Sequence, residues 1–215
     1  MIGKLLEALK EKYPLTELGV GEFSTLKASG LKFSVSAYHA EGLGHVSVMQ
    51  AKGFFGLMKM DTLMVVPNGI DLPLYSYDRI YAMGNDTLIV ELYDTLTGSL
   101  DLSALDEVKA KYDFLTERDP GTHWYDNIKL KQSISKKGKK SQTNDFDALT
   151  LEHFNGYLNA NACAVTDQEK KKELSSRYVK GLLEQGGPST DVFKKQLGEE
   201  KTKTLFEQVL FGTSL

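Results

Sequence analysis

The stretch Met64-Val65-Val66-Pro67-Asn68-Gly69-Ile70-Asp71-Leu72-Pro73-Leu74-Tyr75-Ser76-Tyr77-Asp78 organises the chain. An apolar run stops at one proline, turns through Asn-Gly, restarts after a second proline and delivers a carboxylate inside the next strand. Tyr77, Ile80, Tyr81 and Met83 surround Asp78, so that strand reads as largely buried. An ionised carboxylate buried without a partner costs on the order of several kcal/mol. Asp78 must therefore be paired, hydrogen-bonded, neutral or functional. Pairing with Arg79 or a lysine, or simple exposure, is the plain alternative to a proton donor whose pKa burial has raised.

Upstream of this stretch the hydrophobic period is two. Phe33, Val35, Ala37 and His39 alternate with Lys32, Ser34, Ser36 and Tyr38; a turn at Gly42-Leu43-Gly44 follows, and alternation resumes over residues 45–51. Residues 54–66 form a longer strand candidate, although periodicity alone does not separate 54–64 from a buried helix. Residues 72–83 and 87–93 follow, joined at Gly84-Asn85-Asp86. Connections this short make the five strands antiparallel neighbours, because parallel pairs need long crossovers. Helical spacing appears at 1–12, 102–112, 147–164, 167–185 and 190–211, the last two parted by Gly186-Gly187-Pro188-Ser189 and the final one broken again at Gly198. Residues 127–134 are a sixth strand candidate, leading into Lys136-Lys137-Gly138-Lys139-Lys140 at a hairpin tip. The pattern predicts one domain over 1–215, of class α+β, with an antiparallel sheet dressed by helices.

Composition narrows the function. A charged share of 26% and a hydrophobic share of 41% describe an ordinary globular protein, and a net charge of -3 gives no general case for nucleic acid or membrane. Cys163 is the only cysteine, which excludes a disulfide framework and cysteine-built metal or iron–sulfur sites. It is expected to be a small core residue on a helix. His39, His45, His123 and His153 show no metal-ligand spacing, and the glycines of Gly19-Val20-Gly21 are not followed by a helical pattern, so no dinucleotide loop is assigned. No apolar run reaches the roughly 18–20 residues of a membrane span, and the N-terminus lacks a signal peptide's apolar block; a cytoplasmic protein is expected. The lysine run is either a solvated tip or a docking patch for acidic groups.

With these motifs in place, the chain resembles the ferredoxin-dependent bilin reductases. Their sheet carries Leu-Pro-x-Phe-Gly-x-Asp, matched by residues 72–78 with Tyr75 for Phe and Ser76 for Gly. Their C-terminus carries Phe-Gly-Glu and then a helix closing in Leu-Phe, matched by Leu197-Gly198-Glu199 and by Leu210-Phe211. Glu117-Arg118-Asp119-Pro120 with Trp124 looks like a degraded form of their Pro-Glu-Trp-Gly segment.

The resemblance implies a three-layer α/β/α sandwich with a mainly antiparallel sheet and a linear tetrapyrrole, such as biliverdin, between sheet and C-terminal helices. It implies reduction by electrons from external ferredoxin or flavodoxin, no permanently bound cofactor and no metal. Asp78 falls on the family's central proton-donating aspartate. Thr62 falls where some members have a catalytic histidine, Gln50 where they have a glutamate, Gly187 near a second aspartate and Pro188 near a propionate-holding lysine. Gln50 and Thr62 hydrogen-bond but supply no proton at neutral pH. Gln50, Thr62, Tyr75, Tyr77 and Gly187 are thus expected to contact the pigment. Lys136, Lys137, Lys139 and Lys140 are expected to dock the electron donor. The rival expectations are a non-catalytic tetrapyrrole carrier and a relative acting on another flat metabolite.

Overall fold

The computed structural model describes residues 1–187 and 189–214. Helix α1 (Ile2–Lys12) precedes β1 (Leu15–Leu18), β2 (Thr25–Ala28), β3 (Leu31–Ala40), β4 (Gly44–Gly53), β5 (Met58–Pro67), β6 (Leu74–Ala82) and β7 (Asn85–Tyr93). Then come α2 (Ser103–Lys111), β8 (Ile134–Lys139), α3 (Thr143–Leu158), α4 (Gln168–Gln185), α5 (Thr190–Leu197) and α6 (Glu199–Thr204), the last running on into a π-helical turn at Leu205–Leu210. Among the described residues eight strands form one antiparallel sheet, β3 to β8 in sequence order, with β1 and β2 sharing the outer edge of β3. This is the expected α+β architecture.

Antiparallel register fixes which residue faces which layer, because directly opposed residues share a face. One face packs against α1, α2 and α3 through Val46, Val48, Leu63, Val65, Tyr75 and Tyr77. The other meets α4, α5 and the π-helical turn through Phe33, Val35, Met49, Tyr93, Phe206 and Phe211. With helices on both faces, alternation carries little polarity contrast. The sequence betrays the strands but not their sides.

Three loops are tied together at the restart between Pro67 and Leu74. Asp71 accepts from the Thr97 and Gly98 amides and from Lys171 Nζ at 3.0 Å; Lys171, buried on α4, also donates to the Leu72 and Thr95 carbonyls. This buried ion pair pins α4 across the sheet. Gly69 lies against the β3–β4 turn so closely that a Cβ there would stand 2.3 Å from the Gly42 carbonyl oxygen.

Several expectations shift. β1 and β2 were not legible, being only four residues long each. Strand β8 covers the lysine run, and residues 127–133 before it are irregular. The reason is packing: Ile134 and Lys136 turn inward, and Lys136 buries its stem while its ammonium reaches the Leu115 carbonyl at 3.0 Å and Glu117 at 2.6 Å. Helix α3 stops at Leu158, leaving Cys163 exposed in the following loop. No helix among the described residues is long and apolar enough to cross a membrane.

Candidate functional site

A cavity of about 490 Å³ lies between the sheet and the C-terminal helices, inside the roughly 300–1,000 Å³ range of small-molecule sites. Its floor is the methionine-rich face of β4 and β5, with Met49, Met60 and Met64; its lid is Leu182, Phe193, Phe206 and Phe211. The π-helical turn is fastened to the floor by Ser47, which donates to the Leu210 carbonyl at 2.7 Å, and by His45 against the Val209 carbonyl at 2.8 Å. Gly212 passes so near His45 that a Cβ would meet its ring at 2.5 Å. A second depression, about 510 Å³, lies outside α4, among the exposed side chains of Arg177, Lys180 and Glu184. Its one buried titratable group is the Tyr178 phenol, and no carboxylate or histidine is buried in it.

Asp78 faces the main cavity. It sits opposite Thr62 on β5 and Ile89 on β7, and Thr62 Oγ1 donates to its Oδ1 at 2.5 Å. Loss of hydration pushes the carboxyl pKa up to about 6, the Thr62 hydrogen bond opposing and the charge of Glu91 adding to the rise. Arg79, its neighbour in sequence, points to the other face and pairs with Asp86, so the proposed Asp78–Arg79 pairing does not form.

Glu91 is the second carboxylate in the cavity. Tyr93 donates to its Oε2 at 2.5 Å, and Lys129 Nζ lies 3.7 Å from its Oε1. Two carboxylates on adjacent strands therefore line one cavity. Arg118 and His123 reach the cavity from the irregular segment between α2 and β8. His123 stacks on Tyr125 at 4.9 Å, and its Nδ1 is buried with no hydrogen-bond partner. Trp124 anchors this segment: its indole donates to the Gly186 carbonyl at 3.0 Å and lies on Gly181, where a Cβ would clash at 2.2 Å.

The residues expected to contact a pigment divide. Thr62 and Gly187 line the cavity with Asp78. Gln50, Tyr75 and Tyr77 do not. Gln50 shares the opposite face with Asp61 and donates to it at 2.8 Å, because its register neighbour Met49 is the β4 residue on the cavity side. Tyr75 and Tyr77 alternate with Ser76 and Asp78 and enter the α3 layer, Tyr75 packing on His153, Phe154 and Tyr157. Pro188 lies outside the described residues. Of the lysines, Lys136 is buried, while Lys137, Lys139 and Lys140 are exposed along the sheet edge. Glu91 escaped notice because a carboxylate alternating with Val90 and Leu92 reads as a solvent-facing position. His123 and Arg118 escaped because irregular segments carry no periodicity. Trp124 was their only signal.

No family model matches the chain, and no curated protein does. Fold and site together define an antiparallel-sheet α/β/α sandwich with an acid-lined cavity under its C-terminal helices. Among solved structures, phytochromobilin synthase from tomato, crystallised in complex with biliverdin, has this fold. It superposes with a TM-score of 0.77 at 15% identity, covering 99% of this chain and 83% of that one.

Proposed function

We propose that this chain reduces a linear tetrapyrrole of the biliverdin kind, with Asp78 as proton donor. The observation that supports it best is a carboxyl held near its protonated form against an apolar cavity of suitable size, in a fold whose tomato representative was crystallised with biliverdin. Reduction of one double bond takes two electrons and two protons. The electrons arrive singly from an external ferredoxin or flavodoxin. Asp78 gives the first proton to the pigment, positioned by its bond to Thr62. Glu91, held by Tyr93, accepts a pyrrole N–H, and His123, on the cavity wall, delivers the second proton. Arg118 at the cavity wall suits a propionate. The three proton-handling groups therefore come from β6, β7 and the segment before β8.

Anaerobic incubation with biliverdin, a reducing system and ferredoxin tests this reading. The absorption spectrum of the pigment is expected to shift with the wild type and not with Asp78→Asn. An unchanged spectrum with wild type, despite tight pigment binding, would favour the carrier alternative. Full activity in Asp78→Asn would remove Asp78 from its role.

A further inference from the structure

Four lysines far apart in sequence are neighbours in the sheet. Lys27 opposes Lys32, Lys32 opposes Lys52 and Lys52 opposes Lys59, a single row across β2, β3, β4 and β5. Directly opposed residues share a face, so all four side chains leave the sheet on one side, and all four are exposed. Among the described residues none of the four forms an ion pair; Asp61, one row further in, is held by Gln50. Strand spacing puts adjacent members about 5 Å apart and the row ends roughly 14 Å apart. Each gap is shorter than the Debye length of about 8 Å at physiological salt, so the four potentials add. Like charges directly opposed weaken a sheet, and fourfold repetition is a cost that simple solvation does not require.

The row abuts a second unusual feature. The β4–β5 turn that joins Lys52 to Lys59 holds Phe54 and Phe55 in left-handed backbone, φ 50° and 55°, a conformation bulky residues rarely adopt. It holds their rings, with Leu57, out in solvent: Phe54 is 55% exposed and Phe55 fully so. The row leaves the sheet on the face opposite the cavity, in phase with Gln50 and Asp61, and meets the cavity only around the end of the sheet. A depression of about 330 Å³ lined by Lys27, Lys32 and Lys52 shares Ser29 and Leu31 with the main cavity, and Phe54 lines the main cavity too.

We propose that this lysine row and the Phe54–Phe55 turn form the docking surface for an acidic electron-carrier protein of the ferredoxin or flavodoxin class. This rests on the reductase reading. An apolar centre rimmed by unpaired cations is the anatomy of a transient, electrostatically steered protein interface. Phe54, in the turn beside the row, also lines the cavity, so the surface and the cavity share one aromatic side chain. The net charge of -3 argues against an extended nucleic acid, which would be repelled beyond the row. The run at Lys136–Lys140, whose first member is buried and whose other lysines are exposed, is the rival surface.

The test compares K27E/K32E/K52E/K59E with K137E/K139E/K140E on the other edge of the sheet. Binding of a plant-type [2Fe–2S] ferredoxin and of a flavodoxin is measured against salt. The row variant should lose affinity for the carrier on the order of tenfold or more at low salt and flatten its salt dependence, the edge variant little. Biliverdin binding and reduction driven by dithionite with methyl viologen should be unchanged in both, which also certifies the fold; K27Q/K32Q/K52Q/K59Q repeats the test without charge reversal. Unchanged carrier affinity in the row variants, an equal loss in the edge variant, or wild type that binds duplex DNA and neither carrier would overturn the proposal. Absence of viologen-driven reduction by wild type would instead remove the reductase reading, since carrier binding is scored without pigment.

Discussion

The two faces of the sheet are built from alternate residues of the same strands, yet they behave as different materials. On β6 the α3 side receives Tyr75, Tyr77 and Arg79, and the cavity side receives Ser76, Asp78 and Ile80. On β5 the split is Leu63 and Val65 against Met60, Thr62 and Met64. The α3 face is filled with rigid aromatic and branched side chains, and of their polar atoms the Tyr77 hydroxyl and Arg79 Nη1 lack a hydrogen-bond partner. Tyr157 donates to the Pro73 carbonyl at 2.9 Å, and buried Arg79 is neutralised by Asp86 beneath the ring of Phe146. The cavity face uses pliable methionines and leaves space. Burial shifts one group on each face in opposite directions: it lowers His153 to about 4, keeping it neutral, and raises Asp78 to about 6. The difference teaches where the chain keeps close packing and where it gives some up to hold a cavity open.

The comparison breaks most visibly if one charge is removed from each face. Asp78→Asn, on the cavity side, is expected to lower the rate of pigment reduction about 10²–10⁴-fold, the usual contribution of a general acid, with pigment affinity retained; single-turnover absorption changes measure it. Asp86→Ala, on the packed side, leaves the buried Arg79 guanidinium only the 3.6 Å contact with Asp147 and should cost about 3 kcal/mol in urea unfolding. The same kind of substitution thus removes activity on one face and stability on the other.

Bulk sharpens the contrast further. Ser76→Leu adds volume to the cavity and should weaken biliverdin binding at least about tenfold at little cost in stability, whereas Tyr75→Leu should cost about 2–3 kcal/mol without touching pigment affinity. Fluorescence titration and thermal melts separate the two. If Tyr75→Leu abolishes pigment binding while remaining folded, the assignment of faces is wrong.

The last effect concerns pH. Asp78's folded pKa, about 6, exceeds the ordinary value of 3.8, so the folded state keeps a proton that the unfolded state has released. Stability contributed by this group is complete below about pH 4 and falls as pH rises toward 6. Asp78→Asn escapes that loss, so the variant should be the more stable by about 3 kcal/mol above pH 6 and level with wild type below pH 4. Reduction by wild type should decline as pH rises through about 6, because the donor loses its proton.

Much of this was readable in advance. Alternation from Phe33 to Tyr93 with short turns predicted antiparallel neighbours, with a buried helix still open over 54–64, and Asp78 among Tyr77, Ile80 and Tyr81 stood out with simple exposure as its plain alternative. The same alternation misled at Gln50, Tyr75 and Tyr77, since a period of two names two sides without saying which carries the cavity. Lysines at 136 to 140, contiguous in sequence, drew the eye more than Lys27, Lys32, Lys52 and Lys59, which no spacing rule connects.

By itself, then, the sequence determined the kind of sheet, the helices that close the chain and the one acid at its centre, all through local periodicity and turn chemistry. Tertiary structure alone decided that Glu91 and His123 join Asp78, that the tyrosines turn away and that four scattered lysines line up. Those outcomes depend on register and on which layer lies over which face. Both are set by contacts between residues distant along the chain, which leave no mark on any single stretch of it.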